Sequence, residues 1–173
     1  MTKIEFYKKK NQKIKITSRK VILSSMILSY LSPKSSILDL GCGDSYISYI
    51  ARLFSKSVTA IDLAPNYMFE KVDYIEGDIF ESMPDNKYDV VLALDILEHL
   101  GESRQKAKVI EDRIKEGGLL IINLPDSQDK SQPEDKLFTP IEAINVFHKL
   151  ELIRLEKLKF TSNESYNFMV FKK

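Results

Sequence analysis

Apolar positions along this chain form short runs separated by stripes at helical spacing. The runs at Ile37–Leu40 and Val90–Leu94 are typical of strands covered on both faces of a sheet. Between Thr17 and Leu31 the apolar residues stand at 21, 22, 23, 26, 27, 28 and 31, which predicts a helix capped by Thr17 or Ser18. This alternation of strands and helices predicts an open, mostly parallel sheet with helices on both faces.

The same pattern predicts seven strands and their connecting helices. The strands are expected at Ile37–Leu40, Val58–Ile61, Val72–Ile75, Val90–Leu94, Leu119–Asn123, Leu150–Phe160 and Tyr166–Phe171. The helices are expected at Thr17–Leu31, Tyr46–Phe54, Arg104–Lys115 (stopped by Gly117-Gly118) and from Thr139-Pro140 to about Lys149, with a short helix or turn at Pro65–Lys71. The last two strands form a hairpin, which makes one strand antiparallel. A polar loop over residues 125–136 precedes the last helix.

Composition fits one domain, since the chain has 173 residues, 43% of them apolar, and a formal net charge of +1. We expect a basic arm over residues 1–16 and a single domain over residues 17–173. Residues 1–20 hold eight lysines or arginines against one glutamate, so this region either contacts the phosphates of a nucleic acid or an anionic substrate, or is simply solvated. The single cysteine, Cys42, indicates a reducing cytoplasm, and neither a membrane span nor a secretory signal is expected.

A glycine turn directly follows the first predicted strand. Gly41 and Gly43 leave the main chain open to a ligand, and Asp39 places a carboxylate beside the turn. Asp62 follows Gly41 by 21 positions, at the end of the second strand. A glycine turn with an acidic residue about 20 positions later is how open α/β sheets bind a nucleoside, with the carboxylate on the ribose hydroxyls.

The details of this turn argue against a phosphate-bearing nucleotide. Tyr46 stands where the dinucleotide fingerprint needs its last glycine, and the phosphate-binding pattern G-x-x-x-x-G-K-[ST] is absent. Because Asp39 would repel a phosphate, the turn favours a cationic ligand. S-adenosylmethionine has no phosphate, carries a sulfonium and an amino group, and offers a ribose diol.

Further motifs give the chain a family resemblance over roughly residues 35–125. In their order and spacing they resemble the class I S-adenosylmethionine-dependent methyltransferases: Ile37–Ser45, with Ser45 in place of a third glycine, then Val58–Leu63, Tyr74–Ile79, Tyr88–Asp95, Ile96–Leu100 and Lys115–Ile122. The resemblance implies a Rossmann-like, open seven-stranded sheet with an antiparallel C-terminal strand, and S-adenosyl-L-methionine as the cofactor. It implies that Asp62 binds the ribose, that Asp78 meets the adenine amino group and that Ile79 packs on the ring. The cofactor-binding residues expected in all are Asp39, Gly41, Cys42, Gly43, Asp62, Leu63, Asp78, Ile79 and Leu94.

Methyl transfer needs alignment more than covalent help, but an acceptor that loses a proton benefits from a base. Asp95, just after the fourth strand, is the first candidate and His99 the second. The alternatives are a cofactor-site or capping role for Asp95 and a structural role for His99. The segment from Asp95 to His99 is also similar to a metal cluster of small-RNA 2′-O-methyltransferases. The second histidine of that cluster would have to be His148, which no matching motif surrounds, so no metal is expected.

The sequence therefore predicts a methyltransferase enzyme whose acceptor is a small molecule. One alternative is a methyltransferase acting on RNA or protein, suggested by the basic arm. The other is a cofactor-binding module without catalysis, suggested by the little room for an acceptor-binding lid. Cys42 is expected to pack in the turn without a reactive role, and the oligomeric state is open.

Overall fold

The computed structural model describes residues 5, 8, 14, 16–65, 69–127, 137–161 and 164–173, excepting the side chains of residues 100–106. Seven strands form one sheet: β1 (Ser36–Leu40), β2 (Ser57–Asp62), β3 (Asp73–Glu76), β4 (Tyr88–Leu94), β5 (Ile114–Pro125), β6 (Glu151–Lys159) and β7 (Ser165–Lys172). The helices are α1 (Ser18–Leu28), α2 (Tyr46–Leu53), α3 (Ile79–Ser82) and α4 (Pro140–Val146), with a 3₁₀ segment at Leu97–Arg113.

The strands lie in the order β3-β2-β1-β4-β5-β7-β6. All neighbouring pairs from β3 to β5 are parallel, whereas β7 runs antiparallel to both β5 and β6. The predicted Rossmann-like sheet with one antiparallel C-terminal strand is therefore confirmed. Because the chain order reverses between β1 and β4, a crevice is expected beside the carboxyl ends of these two strands.

Two apolar clusters cover the two faces of the sheet. On one face α1 and α2 pack against the strands through Leu23, Ile27 and Ala51. On the other face the 3₁₀ segment and α4 contribute Leu97, Ile110, Ala143 and Phe147. Burial on both faces explains why the central strands are continuous apolar runs.

The fifth strand begins earlier than predicted. Gly117 and Gly118 were expected to end a helix and precede the strand, but β5 already starts at Ile114 and includes both glycines. The Gly117 N–H donates to the carbonyl of Lys173 at 3.0 Å, and the Lys173 N–H donates to the carbonyl of Gly118 at 3.0 Å. A Cβ on Gly118 would lie 3.0 Å from the Asp89 carbonyl oxygen, so the glycine serves close packing inside the sheet.

Helix ends differ from the prediction as well. The helical segment expected at Arg104–Lys115 begins at Leu97 and ends at Arg113. Helix α1 ends at Leu28, because the Ser29 hydroxyl donates to the Met26 carbonyl and the next residues form tight turns. Helix α4 ends at Val146. Most of the basic arm, the centre of Pro65–Lys71 and residues 128–136 lie outside the described residues.

No helix in the part of the chain that the structure describes is both long and apolar enough to span a membrane.

Thr139 begins α4 with a reciprocal capping box. The Glu142 N–H donates to Thr139 Oγ1 at 3.2 Å, and the Thr139 N–H donates to Glu142 Oε2 at 2.7 Å. Thr139→Ala removes one of these acceptors, so we expect the free energy of unfolding to fall by about 1 kcal/mol in urea titration. Thr139→Ser keeps the hydroxyl and should change it little. Equal losses in both variants would contradict a role for the cap.

Candidate functional site

A cavity of about 620 Å³ opens beside the carboxyl ends of β1, β2 and β4, a size typical of small-molecule sites. The cavity lies where the strand order reverses between β1 and β4, which is where a crevice is expected. All the site residues predicted from the sequence line it: Asp39, Gly41, Cys42, Gly43, Asp62, Leu63, Asp78, Ile79, Leu94, Asp95 and His99.

The glycine turn forms the floor of this cavity. Gly41 and Gly43 have φ values of +72° and +54°, a backbone region that favours glycine. A Cβ on Gly41 would lie 2.7 Å from Ile96 Cδ1, whereas one on Gly43 would meet nothing within 4 Å. Gly41 is therefore required by packing against Ile96, and the open space above the turn lies at Gly43. Substituting Gly41 would disturb folding before it disturbed a ligand.

Asp62 ties the end of β2 to the glycine turn. Its Oδ2 accepts the Gly43 N–H at 2.8 Å, and its Oδ1 accepts the Ala64 N–H at 2.8 Å. Each carboxylate oxygen retains a second lone pair for a ligand. Asp62 therefore both braces the turn and presents acceptors to the cavity.

Asp39 is a buried carboxyl group at the base of the turn. It is only 2% exposed, and the Ser48 hydroxyl donates to its Oδ2 at 2.5 Å. Burial raises the pKa of Asp39 to about 6; the negative charge of Asp62 adds to the rise, and the Ser48 hydrogen bond opposes it. Keeping this group ionised at neutral pH costs stability, which a cationic ligand would offset.

Cys42 and Asp78 complete the lower part of the cavity. Burial, together with the charges of Asp39 and Asp62, raises the pKa of the Cys42 thiol, so the thiolate is scarce at neutral pH. This is consistent with the expectation that Cys42 has no reactive role. Asp78 is the N-cap of α3, where its Oδ1 accepts the Phe80 N–H at 2.8 Å.

Asp95 turns the chain sharply at the end of β4. Its φ of +53° is unusual for a residue other than glycine. The Asn123 side-chain amide donates to Asp95 Oδ1 at 2.6 Å, and the Arg19 guanidinium donates to Oδ2. With both oxygens engaged by donors, Asp95 is poorly suited to act as a base in this arrangement. His99 follows in the 3₁₀ segment and also lines the cavity.

Two side chains of α1 that line the cavity were not predicted as site residues. Arg19 and Lys20 were counted with the basic arm, but both line the cavity, where Arg19 pairs with Asp95 and Lys20 pairs with Asp44. The turn between β6 and β7 adds Phe160, Thr161 and Glu164. These contacts could not be predicted because their partners are far apart in the sequence. The predicted cap at Thr17 did place Arg19 and Lys20 in the first turn of a helix.

Carboxylates dominate the lining. Within the described part of the chain, six aspartate or glutamate residues line the cavity against two lysine or arginine residues. No cluster of at least three His, Cys, Asp or Glu residues suited to a metal ion occurs among the described residues.

The burial of Asp39 predicts a stability effect that depends on pH. In the folded protein the pKa of Asp39 is raised from 3.8 to about 6, so the contribution of Asp39 to the free energy of unfolding falls as pH rises through that interval. Asp39→Asn keeps an acceptor for Ser48 but does not ionise. We expect its free energy of unfolding at pH 8 to exceed the wild-type value by about 1 to 3 kcal/mol, with little difference below pH 4. Denaturant titration at both pH values measures this, and a less stable variant at pH 8 would contradict it.

Comparison with known proteins supports the motif assignment. A family model described as a methyltransferase domain matches residues 16–169. The ubiquinone biosynthesis O-methyltransferase of Rickettsia akari is 34% identical over 100 residues, which cover 52% of this chain and 40% of that enzyme. The corresponding enzyme of Schizosaccharomyces pombe, named as mitochondrial, is 27% identical over 100 residues, covering 50% and 36%. The matched stretches thus span less than half of these relatives.

Solved structures agree in fold. The N-methyltransferase NodS of Bradyrhizobium japonicum, in complex with S-adenosylhomocysteine, superposes with a TM-score of 0.75 at 16% identity, covering 90% of this chain and 85% of that one. A didemethyltoxoflavin N1-methyltransferase of Burkholderia thailandensis gives 0.77 at 16%, covering 90% and 78%. The [4+2]-cyclase SpnF gives 0.71 at 14%, covering 88% and 80%. The family model covers most of the chain, and the sheet is the predicted open, mostly parallel one with an antiparallel C-terminal strand. This protein therefore belongs to the methyltransferase-domain family, as its resemblance to the class I S-adenosylmethionine-dependent enzymes indicated.

Proposed function

We propose that this protein transfers a methyl group from S-adenosylmethionine to a small-molecule acceptor. The observation that carries the proposal is the convergence of the predicted residues on one cavity. They come from separate segments that follow β1, β2, β3 and β4, yet all of them line the same crevice beside the glycine turn. The charge of that lining favours a cationic nucleoside over a phosphate-bearing one.

The residues present fit this cofactor. Asp62 offers lone pairs to a ribose diol, and Asp78 and Ile79 lie at the neighbouring strand end, where we expect the adenine. Asp39 offers a buried negative charge, and among the described residues its hydrogen-bond partner is the neutral hydroxyl of Ser48. A positively charged ligand near Asp39 would lower its pKa and offset the cost of that burial.

Lys20 is suited to the carboxylate of the cofactor. It extends from the first turn of α1 to Asp44 in the glycine turn, and its ammonium lies 5.7 Å from the centre of the Tyr46 ring. Its side chain is about one-fifth exposed, so it is partly shielded from water. Lys20 would stay paired whether its ammonium moved from Asp44 to a ligand carboxylate or contacted both.

When bound, S-adenosylmethionine supplies an activated methyl group and a neutral thioether leaving group. The remaining task of the chain is to align an acceptor and exclude water. His99 lines the cavity and carries an imidazole, a group that often serves as a general base, so it is the better placed of the two candidate bases. Asp95 is committed to Asn123 and Arg19, which suits a positioning role.

A direct test uses S-adenosylmethionine with a radiolabelled methyl group and a panel of small phenols and amines. We expect labelled product and a matching amount of S-adenosylhomocysteine for at least one class. Tight cofactor binding with no turnover on any acceptor would instead support the non-catalytic alternative. SpnF, described as a cyclase, shares this fold, so activity must be measured rather than assumed.

Asp62→Asn tests the cofactor site itself. We expect the affinity for S-adenosylhomocysteine to fall about 10- to 100-fold by calorimetry, because charge-assisted hydrogen bonds to the ribose become neutral ones. Asp73→Asn, an exposed position on β3 outside the cavity, is the matched control and should bind normally. If a folded Asp62→Asn variant bound S-adenosylhomocysteine with unchanged affinity, the proposed cofactor site would be wrong.

The sequence does not assign the acceptor atom, which can be oxygen, nitrogen, carbon or sulfur. The curated relatives are named O-methyltransferases, whereas two of the structural neighbours are named N-methyltransferases. The two relatives described above each align over 100 residues. Such a stretch is too short to reach from the wall at Thr17 to the wall at Thr161. The relatives therefore do not cover the whole acceptor end of the cavity.

Contact with nucleic acid through the basic arm and a cytoplasmic location stay predictions. Two of the eight cations counted in residues 1–20, Arg19 and Lys20, are paired inside the cavity, which lowers the charge available to phosphates. Lys8 lies 3.7 Å from Glu76. Salt-sensitive RNA binding that disappears on removal of residues 1–16 would favour the nucleic-acid alternative.

A further inference from the structure

We propose that the small molecule methylated here carries a positively charged nitrogen group, an ammonium or a guanidinium, which binds between Asp95, Glu164 and the ring of Tyr166. We call these three residues the cation box. The inference deepens the proposed function, on which it rests, by naming the class of acceptor. It does not assign the atom that receives the methyl group.

The aromatic side of the cation box is built by the last hairpin. Tyr166 lies on β7, and its hydroxyl donates to Glu164 Oε1 at 3.1 Å. Phe160 packs edge-on against the Tyr166 ring with centroids 5.8 Å apart. These contacts hold the ring and the carboxylate side by side, with both groups attached to the sheet.

The other side of the cation box is fixed independently. Asn123, fully buried on β5, donates to Asp95 Oδ1, and the Asp95 N–H donates to the Asn123 carbonyl at 3.1 Å. The carboxylate is thus oriented from inside the sheet. None of these contacts involves α1, so the cation box is assembled from β7, the β6–β7 turn and the residue that follows β4.

Arg19 occupies the cation box in this structure. Its guanidinium pairs with Asp95, lies 3.9 Å from Glu164 and covers the Tyr166 ring at 4.7 Å from the centroid. Two carboxylates and an aromatic face are the surroundings that recognise organic cations. Because Arg19 arrives from a separate helix, its side chain can leave while the cation box stays in place.

The charge of the whole cavity favours the same class of acceptor. Among the residues that the structure describes, six carboxyl-bearing residues face two lysine or arginine residues across its lining. A cofactor with one net positive charge leaves an excess of negative charge. An acceptor bearing a phosphate or carboxylate would be repelled, whereas a cationic one would be attracted.

The test uses phenethylamine and its neutral counterpart 2-phenylethanol as probes. Binding is measured by calorimetry on protein saturated with S-adenosylhomocysteine, so that no turnover occurs. We expect the amine to bind at least about fivefold more tightly than the alcohol, and Glu164→Gln to remove most of that preference. Glu151→Gln, an exposed position on β6 outside the cavity, is the matched control and should retain it.

The direction in which Arg19→Gln changes the affinity for phenethylamine decides between two roles of Arg19. If Arg19 occupies the place of the ligand, this variant binds phenethylamine more tightly than wild type does. If Arg19 instead receives an anionic group of the acceptor, the variant gains nothing for the amine and loses affinity for phenylacetate. That second result, or the absence of an amine preference in both wild type and Arg19→Gln, would overturn the proposal.

Two measurements keep the proposals separate. Thermal unfolding verifies that each variant folds, and Glu164 tolerates change because its side chain is 43% exposed. Binding of S-adenosylhomocysteine is measured first. If S-adenosylhomocysteine does not bind, the proposed function is wrong. The same titrations of phenethylamine and 2-phenylethanol on the free protein then still test whether the cation box binds the amine.

Discussion

The interaction on which the site depends is the carboxylate of Asp62 holding two backbone turns together. One oxygen accepts the Gly43 N–H after β1, and the other accepts the Ala64 N–H after β2. These N–H groups are the kind that bind phosphate in other nucleotide sites. Here a side chain of the protein takes the Gly43 N–H in place of a phosphate. The turn therefore has the shape of a nucleotide site, but its charge favours a cationic ligand over a phosphate.

This negative charge lowers the stability of the folded protein, as the buried Asp39 shows. A carboxyl group only 2% exposed, with Asp62 nearby, ionises reluctantly, and its pKa rises accordingly. A charge retained under such conditions indicates a use for it, since a neutral residue would be more stable. The two cations of α1 offset part of the negative charge from the opposite wall, at Asp44 and Asp95. Folding and ligand preference are thus linked through the same carboxylates.

Sequence patterns predicted the sheet well because its strands are buried on both faces. The residues predicted for the site lie at or after strand ends, so the sheet brings them to one cavity. The patterns failed where long-range contacts decide. Gly117 and Gly118 join the sheet only because Lys173, at the far end of the chain, pairs with them. Arg19 meets Asp95, which is 76 positions away, and Tyr166, which is farther still along the chain. No local spacing encodes those contacts. The acceptor end is built from such contacts, so its chemistry emerged only from the structure.

The charge preference of the cavity is the central claim, and competition between nucleosides tests it most directly. Calorimetry at pH 7.5 should show that S-adenosylmethionine binds the protein, while ATP and NAD at the same concentration neither bind nor displace it. Displacement of S-adenosylmethionine by a phosphate-bearing nucleotide, or binding of that nucleotide alone, would contradict the account.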